Sequence, residues 1–330
     1  MLDIISVLAT YSVAFRSAEP LTHCLSTQRE TKKRNKLRRK LIQISNRSLT
    51  VQLLHPLQDR DHLGPRFCAG CFVYQIEDKA GGSLLSGPEY PSSAPSVING
   101  QGLPEVFQHT LYTDPEEAPE RKMIIGVGLV QNRPGLRNTD SHFNCRVMQK
   151  CQWSIDQQSD SVTMKTRQEE GKWSLDLTRR LELKDRTLRL STELSNRGLG
   201  ALPVRWFAHP FFPVPPDGRC LKFERRIDLP SNPAYMIDPE GWLSMKPDFR
   251  WPQGYFLELE GLEGECFRAI QNHPLLNQIE LAGDFPLLRV AIWANDRTFS
   301  VEPFISATLQ TGEGLAWSMT YTFGRTADEN

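Results

Sequence analysis

The most regular pattern in the chain runs from residue 187 to 214, TLRLSTELSNRGLGALPVRWFAHPFFPV. Leu188, Leu190, Thr192 and Leu194 alternate with Arg189, Ser191, Glu193 and Ser195, the period of two that marks a strand with one buried face. An Asn-Arg-Gly turn signal follows. The chain then reads as a second strand, with Val204, Trp206 and Ala208 on one face and Arg205, Phe207 and His209 on the other, so the two segments predict a hairpin. Pro210 comes directly after His209. A residue before proline is held extended and the ladder loses a donor at the proline, which places the imidazole at a strand end.

The same period recurs along the rest of the chain. Residues 49 to 54, 67 to 76, 161 to 167 and 172 to 180 read as strands before the hairpin, and the apolar run MIIGVGLV at 123 to 130 as one buried strand. After it come 254 to 262, 269 to 271, 278 to 282, 287 to 293, 298 to 304 and 315 to 323. Clusters of Pro, Gly, Asn and Asp separate them, residues 81 to 104 form a long loop, and no segment sustains a helical period. The expectation is an all-β fold, a large antiparallel β-sandwich, built as one domain over residues 43 to 330.

Charge changes the picture only at the N-terminus. Residues 1 to 40 carry 9 of the 39 basic side chains but only 3 of the 39 acidic ones, which leaves a mildly acidic body behind a basic arm. Residues 1 to 42 therefore read as a basic extension expected to be disordered, since blocks of like charge repel. An acidic body lacks the basic stripe that a phosphate backbone requires, so nucleic acid is not expected as a partner. The apolar run 4 to 15 is too short to span a bilayer, and no integral membrane span is expected.

Seven cysteines without dense spacing point to reduced thiols and a cytoplasmic setting. Cys68 and Cys71 form a CxxC, with His142, Cys145 and Cys151 further along, but a zinc site wants a second close pair, so no metal is expected. Gly126-Val-Gly128 and Gly312-Glu-Gly314 lack the third glycine and the strand-to-helix context of a nucleotide fingerprint, and no GxSxG elbow accompanies a triad.

Candidate chemistry emerges from comparing two strands. In FSVEPF, residues 299 to 304, Ser300, Glu302 and Phe304 share a face, and Glu302 precedes Pro303 as His209 precedes Pro210. A carboxyl in apolar surroundings has its charged form disfavoured, which brings a Glu toward use as a base near neutral pH. Taken singly, a strand histidine is more often a hydrogen-bonded packing residue and a Glu before Pro more often a solvated strand end, so the pattern alone does not settle a catalytic role. Together they fit an acid and base pair.

At these residues the chain resembles the aldose 1-epimerase superfamily, also called galactose mutarotase-like proteins, and particularly its branch near the hexose-6-phosphate 1-epimerases. The likeness rests on NRGLGALPVRWFAHPFF at 196 to 212, on SVEPF at 300 to 304, and on GPRF at 64 to 67 with NGQGLP at 99 to 104. The resemblance implies a galactose mutarotase-like supersandwich whose cleft holds a sugar or sugar phosphate, with His209 as general acid and Glu302 as general base. It further implies Arg66 as a donor to ring hydroxyls and Trp206, Phe207 or Trp293 as stacking surfaces. No cofactor is implied. The chain departs from the true galactose mutarotases in lacking a His-Gly-Gly motif; His109 and His142 have no flanking glycines and are expected in packing or at the surface. The family's sugar-binding Asp has only Asp238 and Asp284 as candidates.

Two rival readings remain beside the enzyme: a carbohydrate-binding protein that keeps the cleft without turnover, and a scaffold docked through the basic arm. The sequence leaves the oligomeric state open.

Overall fold

The computed structural model describes residues 42–91, 99–108, 110–111, 122–132 and 145–325. The basic arm, His109 and His142 lie outside the described residues. Ile42, placed by the sequence in the extension, already belongs to the first strand, Ile42–Ser45, where it is buried opposite Leu53.

Two large antiparallel sheets carry the fold. The first runs in the order Ser154–Gln157, Ser161–Glu170, Trp173–Lys184, Thr187–Asn196, Gly314–Phe323, Ile279–Pro286, Cys266–Gln271, Arg219–Phe223, Leu243–Met245 and Tyr235–Ile237. The second runs Tyr255–Leu259, Arg289–Ala294, Thr298–Leu309, Leu202–Ala208 and Glu105–Phe107, with Phe212–Pro213 also paired to Thr298–Leu309. Two four-stranded sheets complete it, one within residues 42 to 83 and one within 110 to 150. The expected all-β sandwich is what forms.

The two large sheets meet through side chains that the period-2 pattern turns inward. Trp206 of the six-stranded sheet packs edge-on against Phe285 and Trp317 of the ten-stranded sheet, at 5.6 and 5.5 Å between ring centroids. Between the sheets lies a buried ion pair. Arg179 of the ten-stranded sheet contacts the Glu105 carboxylate and the Thr192 hydroxyl, and the Trp206 indole donates to the same carboxylate at 2.8 Å. The contact between Arg179 and Glu105 offsets the cost of burying the two side chains.

Three local expectations are corrected. The segments 187–196 and 202–208 do not pair as a hairpin. Thr187–Asn196 pairs with Trp173–Lys184 and Gly314–Phe323, whereas Leu202–Ala208 pairs with Thr298–Leu309 and Glu105–Phe107. Residues 197–201 cross from one sheet to the other. Asn196 holds this arch, donating to the carbonyls of Gly200 and Leu309 at 2.8 Å and accepting from Gly198 N–H at 2.9 Å. Alternation records which face of each strand is buried; it does not record which sheet the strand joins. The run 123 to 130 is also two strands, Lys122–Ile124 and Gly128–Asn132, folded back on each other with Ile124 opposite Gly128. The third correction concerns residues 67 to 76, where a strand begins only at Val73, after an irregular stretch in which Cys71 adopts φ 56°.

Candidate acid and base site

The site lies on the outer face of the six-stranded sheet. Register fixes its layout, because residues directly opposite in an antiparallel ladder share a face. Phe256, Trp293 and Ser300 form one row, Glu258, Ala291 and Glu302 the next, and Arg289, Phe304 and Phe207 a third. The intervening residues, Leu257, Ile292, Val301 and Trp206 among them, face the opposite sheet and are buried.

His209 reaches this face from the end of Leu202–Ala208. Its backbone N–H donates to the Pro104 carbonyl at 2.9 Å, so the NGQGLP loop fixes the position at which the strand ends. Nδ1 lies 2.8 Å from the Ser300 hydroxyl and Nε2 lies 3.4 Å from Oε1 of Glu302. Phe211 stacks on the imidazole at 4.4 Å between centroids, and Phe67 meets it edge-on at 6.3 Å. Gly100, at φ +76°, allows these two rings to approach; a Cβ there would stand 2.7 Å from Phe67 and 3.1 Å from Phe211.

Burial governs the electrostatics. It pushes the Glu302 carboxyl up to about 7, with Arg66 and then Arg289 pulling it back. It also holds the His209 imidazole well below its usual range, with Arg66 acting in the same direction. The Arg66 guanidinium is itself lowered to about 10 by burial, opposed by Glu302. His209, Glu302 and Arg66 thus share one electrostatic environment. Arg66 also sits over the Phe67 ring, 4.9 Å from its centroid.

The aromatic residues divide by face. Trp293 is half-buried on the outer face, edge-on to Phe211 at 6.4 Å. Phe207 shares that face but is buried, stacked on Phe304 at 4.4 Å and tilted against His209, so it supports the imidazole and offers no open surface. Trp206 departs from the expected stacking role: it points into the core, fully buried, with its indole bound to Glu105. A strand's alternate residues cannot line the same cleft.

Other candidates lie elsewhere. Asp284 belongs to the ten-stranded sheet, where Ser318 donates to it through both N–H and hydroxyl and Arg189 pairs with it. Asp238 pairs with Arg219 in a loop. Cys68 and Cys71 are buried thiols, pushed up to about 11 and 12 by burial, and no group of three or more metal-binding side chains occurs among the described residues. Ser300, Phe211 and Arg289 join the site without having been singled out in the sequence. Ser300 stands two residues before Glu302 on the same face, a signal that alternation alone supplies.

No protein-family model and no curated protein matches the sequence. Solved structures do. A galactose mutarotase related enzyme from Lactobacillus acidophilus superposes with a TM-score of 0.55 at 13% identity, over 87% of this chain and 98% of the other. A galactose mutarotase-like protein from Lactobacillus casei gives 0.51 at 16% identity, over 86% and 99%. Another from Clostridium acetobutylicum gives 0.51 at 13%, over 87% and 95%.

The chain has the galactose mutarotase-like fold. At such identities the likeness is one of fold. Within that sandwich, His209, Glu302 and Arg66 form one buried cluster of ionisable side chains.

Proposed function

We propose that the protein is an aldose 1-epimerase acting on a sugar or sugar phosphate in the cytoplasm. The observation that carries this reading is the 3.4 Å approach of His209 Nε2 to Glu302 Oε1 on one sheet face, beside Arg66. Anomer exchange requires a base at the anomeric hydroxyl and an acid at the ring oxygen, two atoms on one carbon. Glu302 takes the hydroxyl proton while His209 gives a proton to the ring oxygen. The C1–O5 bond breaks to give the open-chain aldehyde, rotation about C1–C2 presents the other carbonyl face, and closure returns both protons.

The pair carries one proton throughout: burial and Arg66 both disfavour the imidazolium, so the proton rests on Glu302 in the free protein and must cross to His209 Nε2, 3.4 Å away, before it passes through the sugar from imidazole to carboxyl. Arg66, the strongest influence opposing burial at Glu302, favours the carboxylate that the base role needs. Arg66 also supplies donors for ring hydroxyls, and half-buried Trp293 a face for the apolar side of the ring. Arg289, partly exposed on the same face, provides a cation for a phosphorylated substrate. No cofactor takes part in these steps.

The burial of both ionisable groups, at 3% and 5% exposure, favours a second reading in which the cleft binds carbohydrate without turnover. Anomeric exchange measured by saturation-transfer NMR, across aldoses and their 6-phosphates, separates the two. Exchange above the spontaneous rate in the wild type, abolished in His209→Ala, is the expected result. Equal rates in both proteins with sugar binding retained would leave only the binding reading.

A further inference from the structure

The two large sheets end on four edge strands: Ser154–Gln157 and Tyr235–Ile237 in the ten-stranded sheet, Glu105–Phe107 and Tyr255–Leu259 in the six-stranded one. An edge strand presents unpaired backbone groups, and proteins shorten, charge or cover such edges to prevent association. Three of the four are managed in this way. Glu105–Phe107 is three residues long, buried, and covered by Cys68, whose N–H donates to the Glu105 carbonyl at 2.8 Å. Tyr235–Ile237 is also three residues long and lies between Pro233 and Pro239. Ser154–Gln157 carries the charge of Asp156, and the Gln157 amide donates to the Gln43 carbonyl at 2.8 Å.

Tyr255–Leu259 has none of these devices. It holds five residues with no proline, no lysine and no bulge in its register, and its one charge, Glu258, is matched by Arg289. Phe256 leaves 43% of its surface exposed there. The direction of its free backbone groups follows from the neighbouring ladders. Asn295 N–H donates to the Thr298 carbonyl, so Trp293 and Ala291, at the same alternation, turn their backbone groups toward Thr298–Leu309. Ala294, Ile292 and Val290 therefore turn theirs toward Tyr255, Leu257 and Leu259. Pro303, which has no N–H, stands opposite Val290 as this alternation requires. The N–H and C=O of Phe256 and Glu258 are left pointing outward, and no backbone partner meets them among the described residues.

We propose that Tyr255–Leu259 pairs with the same strand of a second copy of this chain, antiparallel about a two-fold axis at Leu257. In that register the outward groups of Phe256 meet those of Glu258 of the partner subunit, and symmetry repeats the pair, so both groups of both residues are satisfied. The Phe256 ring then lies across from the Glu258 stem of the partner subunit. A register centred on Glu258 would set two carboxylates directly opposite, which like charge disfavours. The outward groups repeat identically on either side of Leu257, so a second copy is complementary by symmetry, where a strand of another protein would need its spacing and its polar face matched separately. Each copy has one such edge, and the pairing closes at a dimer. Both copies present His209 and Glu302 on one side of a continuous sheet, five strand spacings apart, about 24 Å. The pairing stands whether or not the site turns sugar over.

Sedimentation velocity of the full chain across the micromolar range is the test. The wild type should sediment as a monomer and dimer in equilibrium. Phe256→Glu sets a carboxylate opposite Glu258 of the partner subunit at both symmetric positions, and should raise the dimer dissociation constant about tenfold or more. Adding Glu258→Lys to that variant places opposite charges across the same pairs and should recover most of the loss, a result that a folding defect does not produce. A wild type that stays monomeric throughout, an assembly larger than a dimer, or a dimer that Phe256→Glu leaves intact would overturn the pairing. A dimer weakened by Phe256→Glu without recovery in the double variant would overturn the register centred on Leu257.

Discussion

The Ser300 hydroxyl lies 2.8 Å from Nδ1 of His209, which turns the other ring nitrogen toward Glu302. Both residues are buried, so the hydroxyl is the polar partner that holds Nδ1 and with it the orientation of the ring. In Ser300→Ala, the anomeric exchange rate should fall about tenfold or more, because a buried ring nitrogen left unpaired costs ~1–3 kcal/mol and the imidazole is free to rotate. Ser300→Thr keeps the hydroxyl and should restore most of the rate; equal losses in both variants would point to packing alone.

Activity should decline as pH rises through about 7. Acid and base function together only while the pair holds one proton. Burial sets the loss of that proton near the value to which Glu302 is pushed, about 7, and the gain of a second one well below the usual imidazole range. The enzymatic exchange rate, after subtraction of the spontaneous one, should be flat below neutrality and at least about tenfold lower at pH 9 than at pH 6. A rate that climbs through neutrality would assign the working state to the fully deprotonated pair.

Glu302→Gln should abolish exchange and stabilise the protein at alkaline pH. The carboxyl is raised to about 7 in the folded state from an ordinary value of 4.5, so the folded form binds its proton more tightly than the unfolded one. Its stabilising contribution is therefore complete below 4.5 and is lost as pH rises toward 7. Replacing the carboxyl removes that loss, for a gain of up to ~3 kcal/mol at pH 8 and none at pH 4. Urea unfolding at the two pH values checks the sign, and a variant less stable than wild type at pH 8 would show that Arg66 needs the carboxylate more than burial penalises it.

Arg179 and Glu105 join the two large sheets through a fully buried contact. Arg179→Met removes the ion-pair partner of buried Glu105 and leaves it, among the described residues, the Trp206 indole as side-chain donor, which should cost ~3–5 kcal/mol in urea unfolding. The double variant with Glu105→Leu should recover most of that loss, since two apolar side chains replace a desolvated pair. If the double variant is no better than the single one, the loss comes from packing volume.

Much of the site was legible because alternation assigns faces. His209 and Glu302 were each placed on an aromatic-flanked strand face, and both lie on the outer face of the six-stranded sheet. The same rule already separated Trp206 from Phe207 and His209, so assigning all three to one cleft conflicted with the pattern itself. Arg289 and Phe256 were hidden for a different reason. Their place beside the pair depends on cross-strand register, which no single segment contains. The arch at 197–201 was misread as a hairpin on the same ground: turn residues announce a reversal, while pairing is decided by distant strands.

Thr298–Leu309 divides its side chains between two tasks, with Val301 and Phe299 in the core and Ser300 and Glu302 on the other face. Adhesion of the sandwich and the proposed proton chemistry therefore occupy opposite faces of one strand. Loss of the Glu302 carboxyl should end exchange while the core-facing Phe299 and Val301 stay in place.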